Sequence, residues 1–278
     1  MWMLYKEVKP LFYSWTGKQE PFLSQPTVLS IENTTLGMYG GNVNAGAHKN
    51  EDALLLLTGS DWTFGVIIDA HHSSESAACI ISELDRHHKN IEEILSRTVS
   101  SAITRIDLYM KEMLLSDAFK RKCASVKGEA SCLICVQKGQ SLWWLSIGDC
   151  SLYVFNEELA SFHQYRMNQR QFFEFVGENS SLALDVPCYT TGVRELRNGK
   201  NVVLLATDGL YHQEDSLFLD DETLSSWITR DGDMKSHFSH ILNKIHVENG
   251  IDSATLIGWA YENNEQGVYP ANHGEGTK

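Results

Sequence analysis

Positive charge is scarce in this chain. Lys and Arg together number 23 against 36 Asp plus Glu, a formal net charge of -13 over 278 residues. That balance argues against a phosphate-backbone partner such as nucleic acid, and it leaves carboxylates with which to hold cations. Long apolar runs are missing as well. None approaches the ~20 residues that span a bilayer. The N-terminal run MWMLYKEVKPLFYSW is broken by Lys6, Glu7, Lys9 and Pro10 and does not read as a signal peptide. A disulfide framework is also lacking, since the six cysteines (Cys79, Cys123, Cys132, Cys135, Cys150 and Cys188) are scattered without framework spacing. A reducing compartment, and so a cytoplasmic location, is the simpler expectation. Cys132 and Cys135 form a CxxC, but in the strand-like run SCLICV residues three apart face opposite sides. No second CxxC or CxxH completes a zinc site. Nucleotide, dinucleotide, serine-hydrolase and zinc-protease readings lack their usual carriers, because no P-loop, GxGxxG, GxSxG or HExxH is found.

What is present is an ordinary globular composition, 42% hydrophobic and 21% charged, long enough for one large domain or two small ones with a sizeable core. Residues 1–26 are aromatic (Trp2, Tyr5, Phe12, Tyr13, Trp15, Phe22) and read as a strap on the main domain or a docking segment for a partner. Strands are expected at Thr27–Glu32, Leu36–Tyr39, Ala53–Thr58 and Thr63–Asp69, the last two joined as a hairpin through Gly59, Ser60 and Asp61. Helical periodicity covers Ser73–Leu84 and Ile91–Leu115, with His87 and His88 as linker residues between them. Further strands are expected at Ser131–Gln137, Leu142–Ile147, Ser151–Phe155, Asn201–Ala206 and Ser253–Tyr261. Helices are expected at Gln169–Val176, Glu222–Thr229 and Met234–Glu248, with Glu214–Glu222 as an acidic capping stretch. Residues 262–278 are polar and read as a frayed tail. Strands such as ALLLLT, FGVIID and VVLLA are apolar at nearly every position and need cover on both faces. The fold class this implies is α+β: a four-layer αββα sandwich of two antiparallel sheets flanked by helices, with an open three-layer α/β fold as runner-up.

The aspartates are placed with a polarity. Asp69, Asp149 and Asp208 end apolar strands, while Asp52 and Asp252 begin them, and in antiparallel sheets these two sets converge on one rim. Ionised carboxylates beside a core need counter-charge. A carboxylate cluster is a hard-oxygen site suited to magnesium or manganese, and a pair of such ions activates water toward a phosphoryl group.

The ordered set Asn50-Glu51-Asp52, Phe64-Gly65-Val66-Ile67-Ile68-Asp69-Ala70-His71, Gly148-Asp149-Cys150, Ala206-Thr207-Asp208-Gly209-Leu210 and Asp252-Ser253-Ala254-Thr255 resembles the metal-dependent serine/threonine protein phosphatases of type 2C. The resemblance spans roughly residues 27–261, the phosphatase-like domain. It implies a hydrolase acting on phosphoserine and phosphothreonine in a phosphoprotein substrate, through a hydroxide bridging two divalent cations, Mn2+ or Mg2+. In that reading Asp69 bridges the ions, the Ala70 carbonyl ligates one of them, Asp208 and Asp252 ligate the other, and Asp149 faces a third, more weakly held ion. Glu51 and Asp52 orient water, and His71 is the general acid.

Three departures stand out. The family's phosphate-gripping arginine, five residues before the aspartate of Asn50-Glu51-Asp52, is replaced by Ala47, with His48 and Lys49 as the nearby cationic candidates. Ala70 stands where a positive φ would strain it. The segment between Asp149 and Asp208 lacks the usual signatures of the family's flap. Two alternatives therefore accompany the phosphatase reading: a non-catalytic type 2C-like binding or regulatory module, and a hydrolase of small phosphoesters.

Overall fold

The computed structural model describes residues 10–211, 218 and 220–270. Twelve strands run through it: β1 (Leu11–Thr16), β2 (Thr27–Ile31), β3 (Thr34–Tyr39), β4 (Ala53–Thr58), β5 (Trp62–His71), β6 (Glu129–Lys138), β7 (Ser141–Ile147), β8 (Ser151–Phe155), β9 (Val176–Gly177), β10 (Thr190–Glu195), β11 (Gly199–Ala206) and β12 (Ala254–Asn263). The helices are α1 (Glu75–Leu95), α2 (Val99–Leu114), α3 (Asp117–Cys123), α4 (Glu157–Ser161), α5 (Asp221–Thr229) and α6 (Met234–Val247). One sheet has the order β1-β4-β5-β6-β7-β10 with β9 on β6, and the other has the order β2-β3-β12-β11-β8. All the pairings are antiparallel.

The uninterrupted apolar strands follow from this layering. In β4 the odd positions Leu55 and Leu57 join α1, α2 and α3 in an outer core. Its even positions Leu54 and Leu56 enter the core between the sheets, with Trp144, Leu205 and Trp259. A third core holds Tyr153, Leu204, Phe238 and Leu242 between the second sheet and α5 and α6. Because side chains alternate along a strand, a strand between two cores must be apolar at every position. Cys132 and Cys135 show the same alternation, one in the outer core and one between the sheets. This is the αββα sandwich expected from the sequence. The hairpins leave no need for the open three-layer arrangement.

Several local expectations need correction. His87 and His88 are not linker residues, because α1 runs through them without a break. His87 Nδ1 lies 2.5 Å from the Tyr109 hydroxyl, and the ring of His88 packs 5.3 Å from that of Phe12. These packed partners extend the helix past the point where apolar periodicity fades. No helix forms at Gln169–Val176. There the backbone bonds outward, Gln171 N to Gly148 O at 2.9 Å and Phe175 N to Ser181 Oγ at 2.8 Å, which leaves no helical ladder. Trp15, in the aromatic N-terminal segment, is buried in the inter-sheet core as part of β1. The C-terminal segment is held rather than frayed as far as Tyr269, whose ring stacks 4.6 Å from the Arg197 guanidinium. Of the acidic stretch, residues 214–217 and 219 lie outside the described residues, while Asp220 does cap α5 by accepting from Thr223 N at 2.7 Å. Among the described residues no helix is long and apolar enough to cross a membrane.

Candidate active site

The β4–β5 register pairs Ala53 with Ile68, which sets Asp52 beside Asp69 at the rim of the first sheet. Asp69 in turn stands opposite Ser131 on β6. The Ser131 hydroxyl donates to Asp149 Oδ1 at 2.7 Å and accepts from Asp149 N at 3.2 Å. The turn that brings Asp149 there requires Gly148. Its φ is 91°, and a Cβ would lie 2.2 Å from Ser131 Oγ. On the second sheet, Ala206 pairs with Leu256, so Asp208 leaves β11 beside the point where Asp252 leads into β12. Gly209 permits that approach, since a Cβ there would meet Ser253 O at 1.8 Å.

Four carboxylates consequently act on one another. Asp52 is buried, and its Oδ2 accepts from the Thr255 hydroxyl at 2.6 Å and the Thr207 hydroxyl at 3.2 Å. Burial, helped by the charges of Asp252 and Asp208, outweighs these donors and pushes its pKa up to about 8. Asp69 is driven well above the usual carboxylate range, first by burial and then by the charges of Asp52, Asp208 and Asp252. Its Oδ2 is buried without a hydrogen-bond partner among the described residues. An orphaned carboxylate oxygen among other carboxylates suits a hard divalent cation, so the chemistry of the donor set fits Mg2+ or Mn2+.

The other residues singled out in the sequence fall around this cluster. A cleft of about 340 Å³ is lined by Ala47, His48, Lys49, Glu51, Ala70 and Asp252, among others. His71 is half exposed, with Nδ1 3.5 Å from Asp69 Oδ1 and its ring 6.5 Å from that of Phe175. Lys49 is ion-paired with Glu51, and His48 sits exposed, its Nδ1 3.3 Å from Gly46 O. Ala70 does not carry a positive φ. The left-handed conformation falls at His72, with φ 76°.

Sequence reasoning assigned no role to three residues of this constellation. Thr207 and Thr255 stood inside the quoted motifs, each one residue from a strand end, where their hydroxyls could be foreseen as donors. Arg170 left no such signal. From the irregular segment after β8, its Nη2 reaches to 3.4 Å from Asp149 Oδ2 and 3.6 Å from Asp208 Oδ2. Asp52, Asp149 and Asp208 thereby face protein donors, while Asp69 Oδ2 does not. Among the described residues no group of three or more His, Cys, Asp or Glu side chains stands arranged to hold a metal ion as it is.

The sandwich is the fold of the type 2C serine/threonine phosphatases. A bacterial serine phosphatase superposes with TM-score 0.61 at 15% identity, over 85% of this chain and all of that one. PppA, a regulatory component of the T6SS in Pseudomonas aeruginosa, gives TM-score 0.59 at 14% identity over 84% of this chain and all of that one. RsbX in complex with magnesium gives TM-score 0.53 at 15% identity over 85% of this chain and all of that one. No protein-family profile matches the sequence, and no curated protein matches it.

Proposed function

We propose that this chain is a divalent-cation-dependent phosphatase acting on phosphoserine and phosphothreonine in proteins. The observation that carries the reading is the orphaned Asp69 Oδ2, buried among Asp52, Asp208 and Asp252. Asp69, the Ala70 carbonyl, Asp208 and Asp252 would hold two ions, Mn2+ or Mg2+, with Asp149 toward a third. Bound divalent cations supply an activated water nucleophile and neutralise the phosphoryl oxygens. His71, half exposed beside Asp69, would give a proton to the departing serine or threonine oxygen. Asp52 and Glu51 would order water on the acidic side. The phosphatase names of the structural neighbours, and the magnesium complex of one of them, support the same class of chemistry.

The test is hydrolysis of p-nitrophenyl phosphate and of a phosphoserine peptide in millimolar Mn2+. Turnover that disappears on chelation is the expected result. No turnover from folded protein at any Mn2+ concentration sinks the proposal. A second reading, binding without turnover, is favoured by Ala47, a buried alanine at the position implied for the phosphate-gripping arginine. It predicts that a phosphopeptide binds unchanged to Asp208→Ala.

A further inference from the structure

A substrate phosphate needs cationic donors as well as metal, and the position implied for its arginine is a buried alanine, Ala47. The neighbouring cations do not make up the loss. Lys49 is paired with Glu51, and the His48 imidazole lies against Gly46 O. The guanidinium that does stand against the carboxylates comes from 123 positions further along the chain, at Arg170.

Its anchoring is independent of the carboxylates. Arg170 Nε donates to the Asp149 backbone carbonyl at 3.0 Å. The guanidinium carbon lies 4.8 Å from the Phe172 ring centroid and 4.7 Å from that of Tyr211. By contrast, Nη2 stands 3.4 and 3.6 Å from Asp149 and Asp208, longer than the ~2.7–2.9 Å of a closed charge-assisted bond. Nη1 makes no hydrogen bond or ion pair among the described residues. The group is therefore fixed in position at one edge, while its outer edge, Nη1 and Nη2, is loosely committed. That edge has the forked geometry that matches two phosphate oxygens, which a lysine ammonium lacks. It also stands against Asp208, so a phosphate drawn to cations held there comes within its reach.

From this geometry we infer that Arg170 grips the substrate phosphate, in place of an arginine at position 47. The inference rests on the phosphatase reading. The competing role is structural, a counter-ion that only keeps Asp149 and Asp208 in place. Arg170→Gln and Arg170→Lys separate the two, measured on the full chain with Mn2+. The readouts are KM for p-nitrophenyl phosphate, inhibition by inorganic phosphate, and Mn2+ affinity by calorimetry. Loss of charged hydrogen bonds to phosphate predicts that Arg170→Gln raises KM and the phosphate inhibition constant about tenfold or more, with Mn2+ affinity unchanged or tighter. Arg170→Lys should recover part of the loss. Unchanged phosphate constants overturn the inference, and so does a rise that merely follows weakened Mn2+ binding. Should the wild type bind Mn2+ yet turn nothing over, the phosphatase reading fails separately. Calorimetric titration of the Mn2+-loaded protein with inorganic phosphate then decides: binding lost in Arg170→Gln upholds the phosphate contact, and binding equal or absent in both proteins refutes it.

Discussion

At the scale of single residues, the rim is a place where charge is held against its preference. Asp69→Asn keeps the shape and removes the charge, so its two effects should run in opposite directions. Turnover and Mn2+ binding should vanish, while chelator-treated protein gains about 1–3 kcal/mol of stability, because a buried carboxyl with a raised pKa costs free energy at neutral pH, charged or protonated, and an amide does not. Activity assays and denaturant melts in chelator read the two effects, and a less stable variant contradicts the account. Asp52 adds a pH dependence. Its folded pKa is about 8 and its ordinary value 3.8, so between those values the folded state holds a proton that the unfolded state has released. Metal-free stability therefore falls as pH rises through that window. Chelator-treated protein should melt at a lower temperature at pH 8 than at pH 5, and excess Mn2+ should flatten or reverse the slope. A melting temperature that rises with pH under chelation would contradict the assignment. The aspartates were legible in the sequence because hairpin register and strand polarity alone bring Asp52 to Asp69. Arg170 was not, because its place depends on Phe172, Tyr211 and the Asp149 carbonyl, partners that only tertiary structure supplies.

At the scale of elements, strands with a turn at each end were readable, since period and punctuation agree. Ala53–Thr58 and Ser151–Phe155 keep the bounds their sequences suggest. In the long helix α1, His87 and His88 break the apolar stripe that the sequence shows, yet Tyr109 and Phe12 give those imidazoles somewhere to pack. The segment between β8 and β10 was the least legible, because part of its backbone bonds outside the segment, Met167 N to Leu152 O and Glu178 N to Gly128 O, where no sequence period shows it. The turn after β11 yields a sharp prediction. In Gly209→Ala the new methyl meets Ser253 O, and either the turn or the start of β12 must move. The expected cost is about 1–3 kcal/mol, typical of overpacking, together with weakened Mn2+ affinity as Asp208 and Asp252 separate. Chemical denaturation and calorimetry measure both. A variant with wild-type Mn2+ affinity would show that the turn does not set the spacing.

At the scale of the whole molecule, the three apolar layers were implied by strands with no polar face, and neighbouring leucines in one strand report on different layers. Leu55→Ala opens a hole under α1 and Leu56→Ala one between the sheets. Each should lose about 2–5 kcal/mol in urea unfolding. Only Leu56→Ala, whose core lies between the sheets that carry the aspartates, should also shift the Mn2+ midpoint. Equal metal affinity in both variants would argue against communication between that core and the rim.

The bonds from Thr207 and Thr255 to Asp52 tie β11 and β12 of one sheet to the start of β4 in the other. Behind that tie the sheets meet through the apolar inter-sheet core, and at the far end of β4 the Thr58 hydroxyl donates to Glu32, in the turn between β2 and β3, at 2.8 Å. The pair of sheets is thus pinned at both ends of β4, and one of the two pins lies among the rim carboxylates. Ion occupancy should then tighten the rim end and leave the other as it is. Hydrogen exchange at the first residues of β4 and β12 should slow when Mn2+ is added, while exchange at the opposite ends of those strands stays as it was.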